Sequence, residues 1–185
     1  MALLHTPERK NNFFAPNFTL KNIDGRMITQ NACHGEHGLL VMFICNHCPY
    51  VLAIIERLSQ TCKALTHEEI GCVAIMSNDA DAYPQDSFEN MKSFAKTYDF
   101  TFPYLYDETQ DIARAYDAVC TPDFFGFDKD GILQYRGRLD SAANKNPDEK
   151  TVPELYNAML SIKEEKALIG LQHPSMGCSI KWKKH

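Results

Sequence analysis

Hydrophobic residues along the chain follow two kinds of pattern, unbroken apolar runs and longer segments with helical spacing. The runs at 39–44 and 71–76 are almost entirely apolar, which is typical of strands buried on both faces of an α/β sheet. The segments that follow them, 51–65 and 88–98, repeat apolar residues every three or four positions, as the buried face of a helix does. We therefore predict a repeated strand–helix order in this part of the chain.

The flanking segments predict strands joined by tight turns. Residues 18–22 and 27–29 are separated by the turn signal Asp24-Gly25, and they predict an N-terminal β-hairpin. Residues 124–127 and 132–136 predict a second antiparallel hairpin. An extended run is predicted at 102–106. Two further helices are predicted, one at 109–117 and one from Pro153 onward. This order predicts an α/β fold with a central mixed β-sheet flanked by helices.

The chain shows no internal repeat, linker or low-complexity tract, so we predict a single domain over residues 1–185. Its core is expected at about 14–166. Residues 1–13 look like an N-terminal arm, and 167–185 look like an irregular C-terminal tail with three punctuating residues, Gly170, Pro174 and Gly177.

Charge and cysteine content restrict the function classes and the compartment. The net charge of −5 gives nucleic acid no electrostatic footprint, and no run approaches the ~20 apolar residues needed to span a bilayer. The first ten residues do not resemble a secretory signal peptide. Seven cysteines, an odd number, fit free thiols in a reducing compartment, so we expect a cytoplasmic protein.

The apolar run 39–44 leads directly into the pair Cys45 and Cys48. A helical pattern follows, with Pro49 at a position that a first helical turn tolerates. We expect both cysteines at the N-terminus of this helix, where the helix dipole and free N–H groups favour a thiolate. We assign Cys45 as the nucleophile and Cys48, one turn deeper, as the resolving thiol.

The two residues between the cysteines have different expected roles. Asn46 is a neutral spacer that tolerates turn geometry. His47 either stabilises the thiolate as a nearby imidazolium, or is an exposed polar residue of the first turn. Elsewhere, Cys62 lies on a predicted helix face and Cys72 in a predicted strand, and both fit the pattern of packed core thiols.

A zinc site is an alternative interpretation of the same region. Five residues supply suitable ligand types in two short clusters, Cys33, His34, His37, Cys45 and Cys48. A single Cys-x-x-Cys is not specific by itself, but its strand–helix setting favours redox chemistry over zinc.

Four segments together resemble a known family: 43–50 with the cysteine pair, 78–84, 120–125 with its Thr-Pro, and 177–182. They are similar to the thioredoxin-fold superfamily, and within it to the redoxin group of AhpC/TSA-type and TlpA-like thiol–disulfide oxidoreductases. The resemblance covers about residues 14–182, nearly the whole chain.

The resemblance implies a thioredoxin-like fold and a role for the second motif. Pro122 would be a cis-proline that faces the cysteine pair, and Thr121 would contact the substrate backbone. From the residues alone, a trans turn remains the alternative. Cys120 would then lie near the pair, as a third redox thiol or as a packed small residue. Cys178, in the predicted tail, can also reach the site or be an incidental exposed thiol.

The sequence departs from the family pattern in three respects. The spacer between the cysteines is Asn46-His47, where thioredoxin has Gly-Pro. The run 39–44 lacks the buried acidic residue of thioredoxin, so a proton-handling base must come from elsewhere, with Asp79 and Asp81 as candidates. Peroxiredoxins carry a proline and a threonine ahead of their reactive cysteine. Counting back from Cys45 gives Gly38 and Met42 at these positions, so the activating hydroxyl is missing.

We therefore expect a thiol–disulfide oxidoreductase that uses no cofactor and no metal. Its expected partners are a protein or small-molecule disulfide and a thiol reductant, and neither nucleic acid nor membrane. A peroxiredoxin-like thiol peroxidase is the alternative, and a zinc-binding, non-catalytic module is a further one. The oligomeric state is left open by the sequence.

Overall fold

The computed structural model describes residues 2–168 and 172–184. Gly170 of the predicted tail lies outside these residues. The described strands are β1 (Leu3–His5), β2 (Thr19–Asn22), β3 (Met27–Thr29), β4 (Leu39–Phe43), β5 (Gly71–Met76), β6 (Tyr104–Tyr106), β7 (Cys120–Thr121), β8 (Asp123–Phe127), β9 (Leu133–Tyr135) and β10 (Met176–Ser179). The helices are α1 (Gln30–Cys33), α2 (Pro49–Leu52), α3 (Ile55–His67), α4 (Phe88–Thr97), α5 (Asp111–Ala115) and α6 (Glu154–Lys163).

The main sheet contains seven strands in the order β3-β2-β6-β5-β4-β8-β9. β4 lies inside it, parallel to β5 and antiparallel to β8. All five residues of β4 are buried, as the unbroken apolar run predicts. Because β4 and β5 are parallel, the segments that follow them leave the sheet at the same edge.

Helices cover both faces of this sheet, as predicted. On one face, Leu40 and Met42 of β4 pack with apolar residues of α3, α4 and α6. On the other face, Leu39, Val41 and Phe43 pack with α5 and with the aromatic residues of β8. Each face of the sheet is covered by its own buried apolar cluster, so the sheet packs between two hydrophobic layers.

The N-terminal hairpin is confirmed, with β2 and β3 paired antiparallel around the Asp24-Gly25 turn. Gly25 has a φ of +90°, which glycine adopts at little cost. The single long helix predicted after the cysteines is instead two helices. Ile54 bonds back to Val51 rather than to Tyr50, and this tighter turn separates α2 from α3.

Two terminal predictions are wrong because the chain ends pair with each other. β1 lies within the predicted arm and pairs antiparallel with β10, which lies within the predicted irregular tail. β10 also pairs with β7, forming a second sheet of order β1-β10-β7. These short strands are stabilised by pairing partners distant in sequence, which no local pattern reveals.

Within the described residues, no helix has the length and apolar character needed to cross a bilayer.

Candidate functional site

The site lies at the edge of the sheet where β4 and β5 end. Cys45 follows β4, and the polar loop after β5 runs beside it to a 3₁₀ turn at Pro84–Asp86. The third side is the short turn between β7 and β8, at Thr121 and Pro122. The sheet topology therefore brings the two motifs of the sequence together, as the resemblance implies.

Thr121 contacts both cysteines of the pair. Its hydroxyl oxygen lies 3.4 Å from Cys45 Sγ, and its carbonyl oxygen lies 3.1 Å from Cys48 Sγ. The Thr121-Pro122 peptide bond is cis, which confirms the cis-proline expected from the resemblance. Both cysteines are buried, with 1 % and 0 % of their surface exposed.

Cys48 is the more acidic thiol of the pair. Its pKa is lowered to about 4, mainly by interaction with the Cys45 thiol and then by the backbone N–H groups of Cys178 and Val51, although burial acts in the opposite direction. When Cys48 is protonated, its thiol donates to the Thr121 carbonyl.

Cys45 keeps its proton in the reduced pair. Its hydrogen bond to Cys48 raises its pKa well above the usual range, and burial and the negative charge of Asp86 raise it further. The Thr121 hydroxyl, which can donate to a thiolate, opposes this shift. The opposite shifts of the two pKa values favour a reduced pair that holds one proton between the two sulfurs.

Asn46 is held by several hydrogen bonds and is more than a spacer. Its backbone N–H donates to Asp86 Oδ1 at 2.8 Å, and its side-chain amide donates to the Gln85 carbonyl at 3.0 Å. Its side-chain oxygen accepts from the Tyr104 hydroxyl at 2.9 Å. These bonds fix the backbone that carries Cys45 against the loop after β5.

His47 is directed inward, so the prediction of an exposed residue is wrong. Its ring Nδ1 lies 2.8 Å from Asp86 Oδ2, although this contact lacks the alignment of a hydrogen bond. The ring stacks on Tyr83, with centroids 5.7 Å apart and planes 2° apart. Only 18 % of the His47 side chain is exposed.

Asp86 is the acidic residue beside the cysteines, and the sequence analysis missed this role. It is fully buried and accepts hydrogen bonds from the Asn46 backbone and from Asn78 Nδ2, both at 2.8 Å. Asp81 is exposed, and Asp79 accepts bonds from its own loop.

The start of the helix differs from the prediction. Pro49 is its first residue, as expected, but Cys48 is the N-cap and Cys45 lies outside the helix. The helix-terminus argument that assigned a stabilised thiolate to Cys45 thus applies to Cys48. Cys120 is buried, and its thiol donates to the Pro122 carbonyl at 3.5 Å. This burial, which also raises the pKa of Cys120, agrees with the alternative of a packed thiol.

The two clusters of the predicted zinc site lie at opposite ends of β4, so that ligand set is wrong. Cys33, His34 and His37 precede the strand, whereas the cysteine pair follows it, about 15 Å farther along. A different set is close together: one ligand atom each of Cys45, His47 and Asp86 lie within 4.8 Å of one another. Among residues 2–168 and 172–184, this is the group whose ligand types suit a metal ion.

Cys178 is also part of the site, through β10. It lies opposite Thr121 in the pairing of β10 with β7 and is 4 % exposed. The prediction that it is an incidental exposed thiol is wrong, because it is buried in the same cluster as Cys45 and Cys48.

Comparisons with known proteins agree with this geometry. The model of the AhpC/TSA family matches residues 13–136. A crystal structure of an uncharacterized conserved protein from Geobacillus kaustophilus is 40 % identical and has a TM-score of 0.94, covering 100 % of this chain and 98 % of that one. The thioredoxin domain of a thiol–disulfide oxidoreductase from Bacteroides vulgatus has a TM-score of 0.63 at 16 % identity, covering 83 % of this chain and 98 % of that one. It shows that the fold is thioredoxin-like.

Curated relatives match over a shorter stretch. The thiol–disulfide oxidoreductase ResA of Bacillus thuringiensis is 30 % identical over 120 residues, covering 63 % of this chain and 63 % of ResA. The match to the thioredoxin-like protein YneN of Bacillus subtilis spans 66 % of that protein's length, and the match to ResA spans 63 % of its length.

Proposed function

Since the chain belongs to the AhpC/TSA family of the thioredoxin-like proteins, we propose that it is a thiol–disulfide oxidoreductase whose redox pair is Cys45 and Cys48. The observation that carries this proposal is the contact of both sulfurs with Thr121, at 3.4 and 3.1 Å, beside the cis-proline. Two neighbouring thiols that share one proton and contact the same turn, Thr121-Pro122, can form and break a disulfide.

In the proposed reaction, the Cys45 sulfur attacks one sulfur of a substrate disulfide. A mixed disulfide forms, and the other substrate sulfur leaves with the electron pair and takes up a proton. Cys48 then attacks the Cys45 sulfur, which forms the Cys45–Cys48 disulfide and releases the second substrate thiol. The substrate gains two electrons and two protons, which a thiol reductant afterwards restores to the protein.

We assign the attack to Cys45 because of its position. Cys48 is enclosed by Thr121, Cys45 and Cys178, whereas Cys45 adjoins His47, which is partly exposed at the rim of the site. As the attack begins, Cys45 loses a proton, which the leaving substrate sulfur takes up, and the Thr121 hydroxyl can donate a hydrogen bond to the Cys45 sulfur.

Asp86 and His47 act as positioning residues in this proposal. Asp86 binds the Asn46 backbone N–H and lies beside the His47 ring, so it holds both residues that separate the cysteines. Its negative charge also raises the pKa of Cys45.

The proposed partners are a small or extended disulfide substrate, suited to the nearly closed site, and a thiol reductant. We propose a cytoplasmic location, supported by the seven cysteines, an odd number that fits a reducing compartment. Cell fractionation with an antibody against the chain tests this location, and recovery outside the cytoplasmic fraction contradicts it.

Trapping of the mixed disulfide tests the redox function and the order of the two cysteines. Cys48→Ser and Cys45→Ser variants are treated briefly with an aromatic disulfide, Ellman's reagent, and the modified residue is located by peptide mass spectrometry. We expect the Cys48→Ser variant to retain the adduct on Cys45, at a rate at least about tenfold above any modification of Cys48 in Cys45→Ser.

Two other outcomes contradict the proposal. Faster modification of Cys48 in the Cys45→Ser variant reverses the assigned order. If neither variant forms an adduct faster than a Cys45→Ser/Cys48→Ser double variant, the pair is not a redox centre. Cys120→Ser, which keeps both cysteines and removes the thiol of the same turn, is the matched control.

The thiol peroxidase alternative predicts a different observation. The rate of thiol loss with hydrogen peroxide separates the two functions, because a peroxidatic cysteine forms sulfenic acid much faster than a free thiol. We expect a rate no greater than that of free cysteine, since the residues ahead of Cys45 supply no activating hydroxyl.

A further inference from the structure

β10 packs so closely on the Thr121 turn that one position requires glycine. A Cβ atom on Gly177 would lie 2.0 Å from the Thr121 carbonyl oxygen, a distance at which backbone atoms clash. Because the same carbonyl oxygen lies 3.1 Å from Cys48 Sγ, this close approach brings the next residue, Cys178, to the cysteine pair.

Cys178 is a neighbour of Cys48. It lies opposite Thr121, whose carbonyl oxygen contacts the Cys48 sulfur, and it packs in the same buried cluster as Cys45 and Cys48. Burial and the interaction with Cys48 raise the pKa of Cys178 to about 11, so it presents a protonated thiol to Cys48. The Cys48 sulfur therefore has a thiol neighbour on each of two elements, Cys45 before the helix and Cys178 on β10.

The other buried cysteines do not share this arrangement. The Cys120 thiol donates to the Pro122 carbonyl, and the Cys62 thiol contacts Met42 in the core. Cys178 differs from Cys62 and Cys120 because it lies beside the Cys48 sulfur, which becomes oxidised in the proposed reaction.

We propose that Cys178 is a second exchange partner of Cys48, so that the protein passes a disulfide along three cysteines. This inference rests on the proposed function, because it starts from the Cys45–Cys48 disulfide. The Cys178 sulfur attacks the Cys48 sulfur; the Cys48–Cys178 bond forms as the Cys45–Cys48 bond breaks. The electron pair leaves with Cys45, which takes up the proton that Cys178 loses. No external oxidant or reductant is consumed.

This exchange has a functional consequence for the site. It restores the free Cys45 thiol while the oxidising equivalent stays in the protein, between α2 and β10. Cys45 is then free to attack a second disulfide before the reductant has acted.

Peptide mapping under non-reducing conditions tests the exchange, because trypsin separates the relevant cysteines. Cys33, Cys45 and Cys48 lie on one tryptic peptide, 27–57, and Cys178 lies on another, 167–181, so fragmentation of each peptide identifies which cysteines are bonded. A Cys45–Cys48 disulfide closes a loop within the first peptide, whereas a Cys48–Cys178 disulfide links the two. The full chain is oxidised with diamide, a small two-electron thiol oxidant, quenched in acid, alkylated and digested.

We expect both species in the wild-type protein, only the linked peptides in Cys45→Ser, and only the loop in Cys178→Ser. Cys120→Ser, the matched control, keeps the wild-type pattern. Cys45→Ala repeats the Cys45→Ser measurement in case the serine variant is poorly folded, which circular dichroism checks.

The outcomes separate this inference from the proposed function. Absence of the linked peptides in wild type, Cys45→Ser and Cys45→Ala, while the wild-type loop forms, overturns the inference alone. Absence of the loop in both wild type and Cys178→Ser overturns the proposed function, whether or not linked peptides appear.

Discussion

Within the described residues, the pair Cys45 and Cys48 can be compared with the pair Cys62 and Cys72, and only the first is proposed to do redox chemistry. Cys45 and Cys48 follow β4, whereas Cys62 lies in α3 and Cys72 in β5, and all four belong to one buried cluster. Both pairs are nearly inaccessible: no member of either exposes more than 5 % of its surface. In both pairs, interaction with the neighbouring thiol raises the pKa of one member. Burial and proximity therefore do not distinguish them.

The difference lies in the polar groups around each pair. The Cys62 thiol contacts Met42 Sδ at 3.6 Å, and burial raises its pKa well above the usual range. Cys48 instead receives hydrogen bonds that lower its pKa to about 4. A pair of thiols becomes a candidate redox centre when donors stabilise the negative charge of one sulfur.

Removal of one cysteine from each pair gives the largest expected contrast. We expect Cys45→Ala to lower the rate of disulfide reduction at least about 1000-fold, because the attacking sulfur is lost. Cys62→Ala should stay within about twofold of wild type. The measurement is reduction of a peptide disulfide with a thiol reductant in excess. Equal losses in the two variants would mean that the pairs are not functionally different.

The buried carboxylate beside the site gives the second test. We expect Asp86→Asn to lower the rate about tenfold, because the neutral amide no longer positions His47 and Asn46 as the carboxylate does. It should also shift the pH dependence of Cys45 alkylation to lower pH, since the Asp86 charge raises the pKa of Cys45.

Asp107→Asn is the matched control for this variant. Asp107 is equally buried and accepts hydrogen bonds from Ser77 and from backbone N–H groups at the start of α5. Its replacement should lower stability without moving the pH profile of Cys45. A shift of the profile in both variants contradicts a specific role for Asp86.

The pH dependence of the thiolate gives a third test. With a pKa of about 4, Cys48 should carry one thiolate per chain at pH 6, measured by absorbance near 240 nm, and Cys48→Ser should lose this signal. The folded reduced protein then binds fewer protons than the unfolded chain between pH 4 and about 9. The contribution of Cys48 to the free energy of unfolding therefore increases as the pH rises through that window. A signal that appears only above about pH 8 contradicts the assignment.

Substitution of Cys62, in the pair with Cys72, gives the smallest expected effect, and this effect concerns only stability. Cys62→Ala should lower the free energy of unfolding by about 1 kcal/mol, and Cys62→Ser by about 2 kcal/mol, because the serine hydroxyl has no polar surroundings. Urea unfolding followed by circular dichroism measures both. Equal stability of the two variants would indicate that Cys62 has a polar environment, contrary to its contact with Met42.

The sequence was sufficient to predict the centre of the fold and the position of the cysteine pair. An apolar run followed by Cys-x-x-Cys and a helical period is a local signal, and β4, Pro49 and α3 agree with it. Pro122 was reached only through the family resemblance, since an isolated Thr-Pro is more often trans.

The parts that were missed depend on contacts between distant segments. Asp86 approaches Cys45 because β4 and β5 end at one edge, and Cys178 approaches Cys48 because β10 pairs with β7. Neither residue belongs to a periodic pattern. The usable signals were the repeated strand–helix order, which is typical of parallel strands whose following loops share one edge of the sheet, and the Gly-Cys step in the tail.

The pairing of β10 with β7 has a consequence for protein synthesis. Because the chain is made from its N-terminus, the segment that carries Cys45 and Cys48 leaves the ribosome long before β10 does. During that interval the dithiol has no Cys178 beside it and no strand over the Thr121 turn. The nascent chain is therefore open to glutathione and other small thiols and disulfides at a site that the finished protein keeps closed.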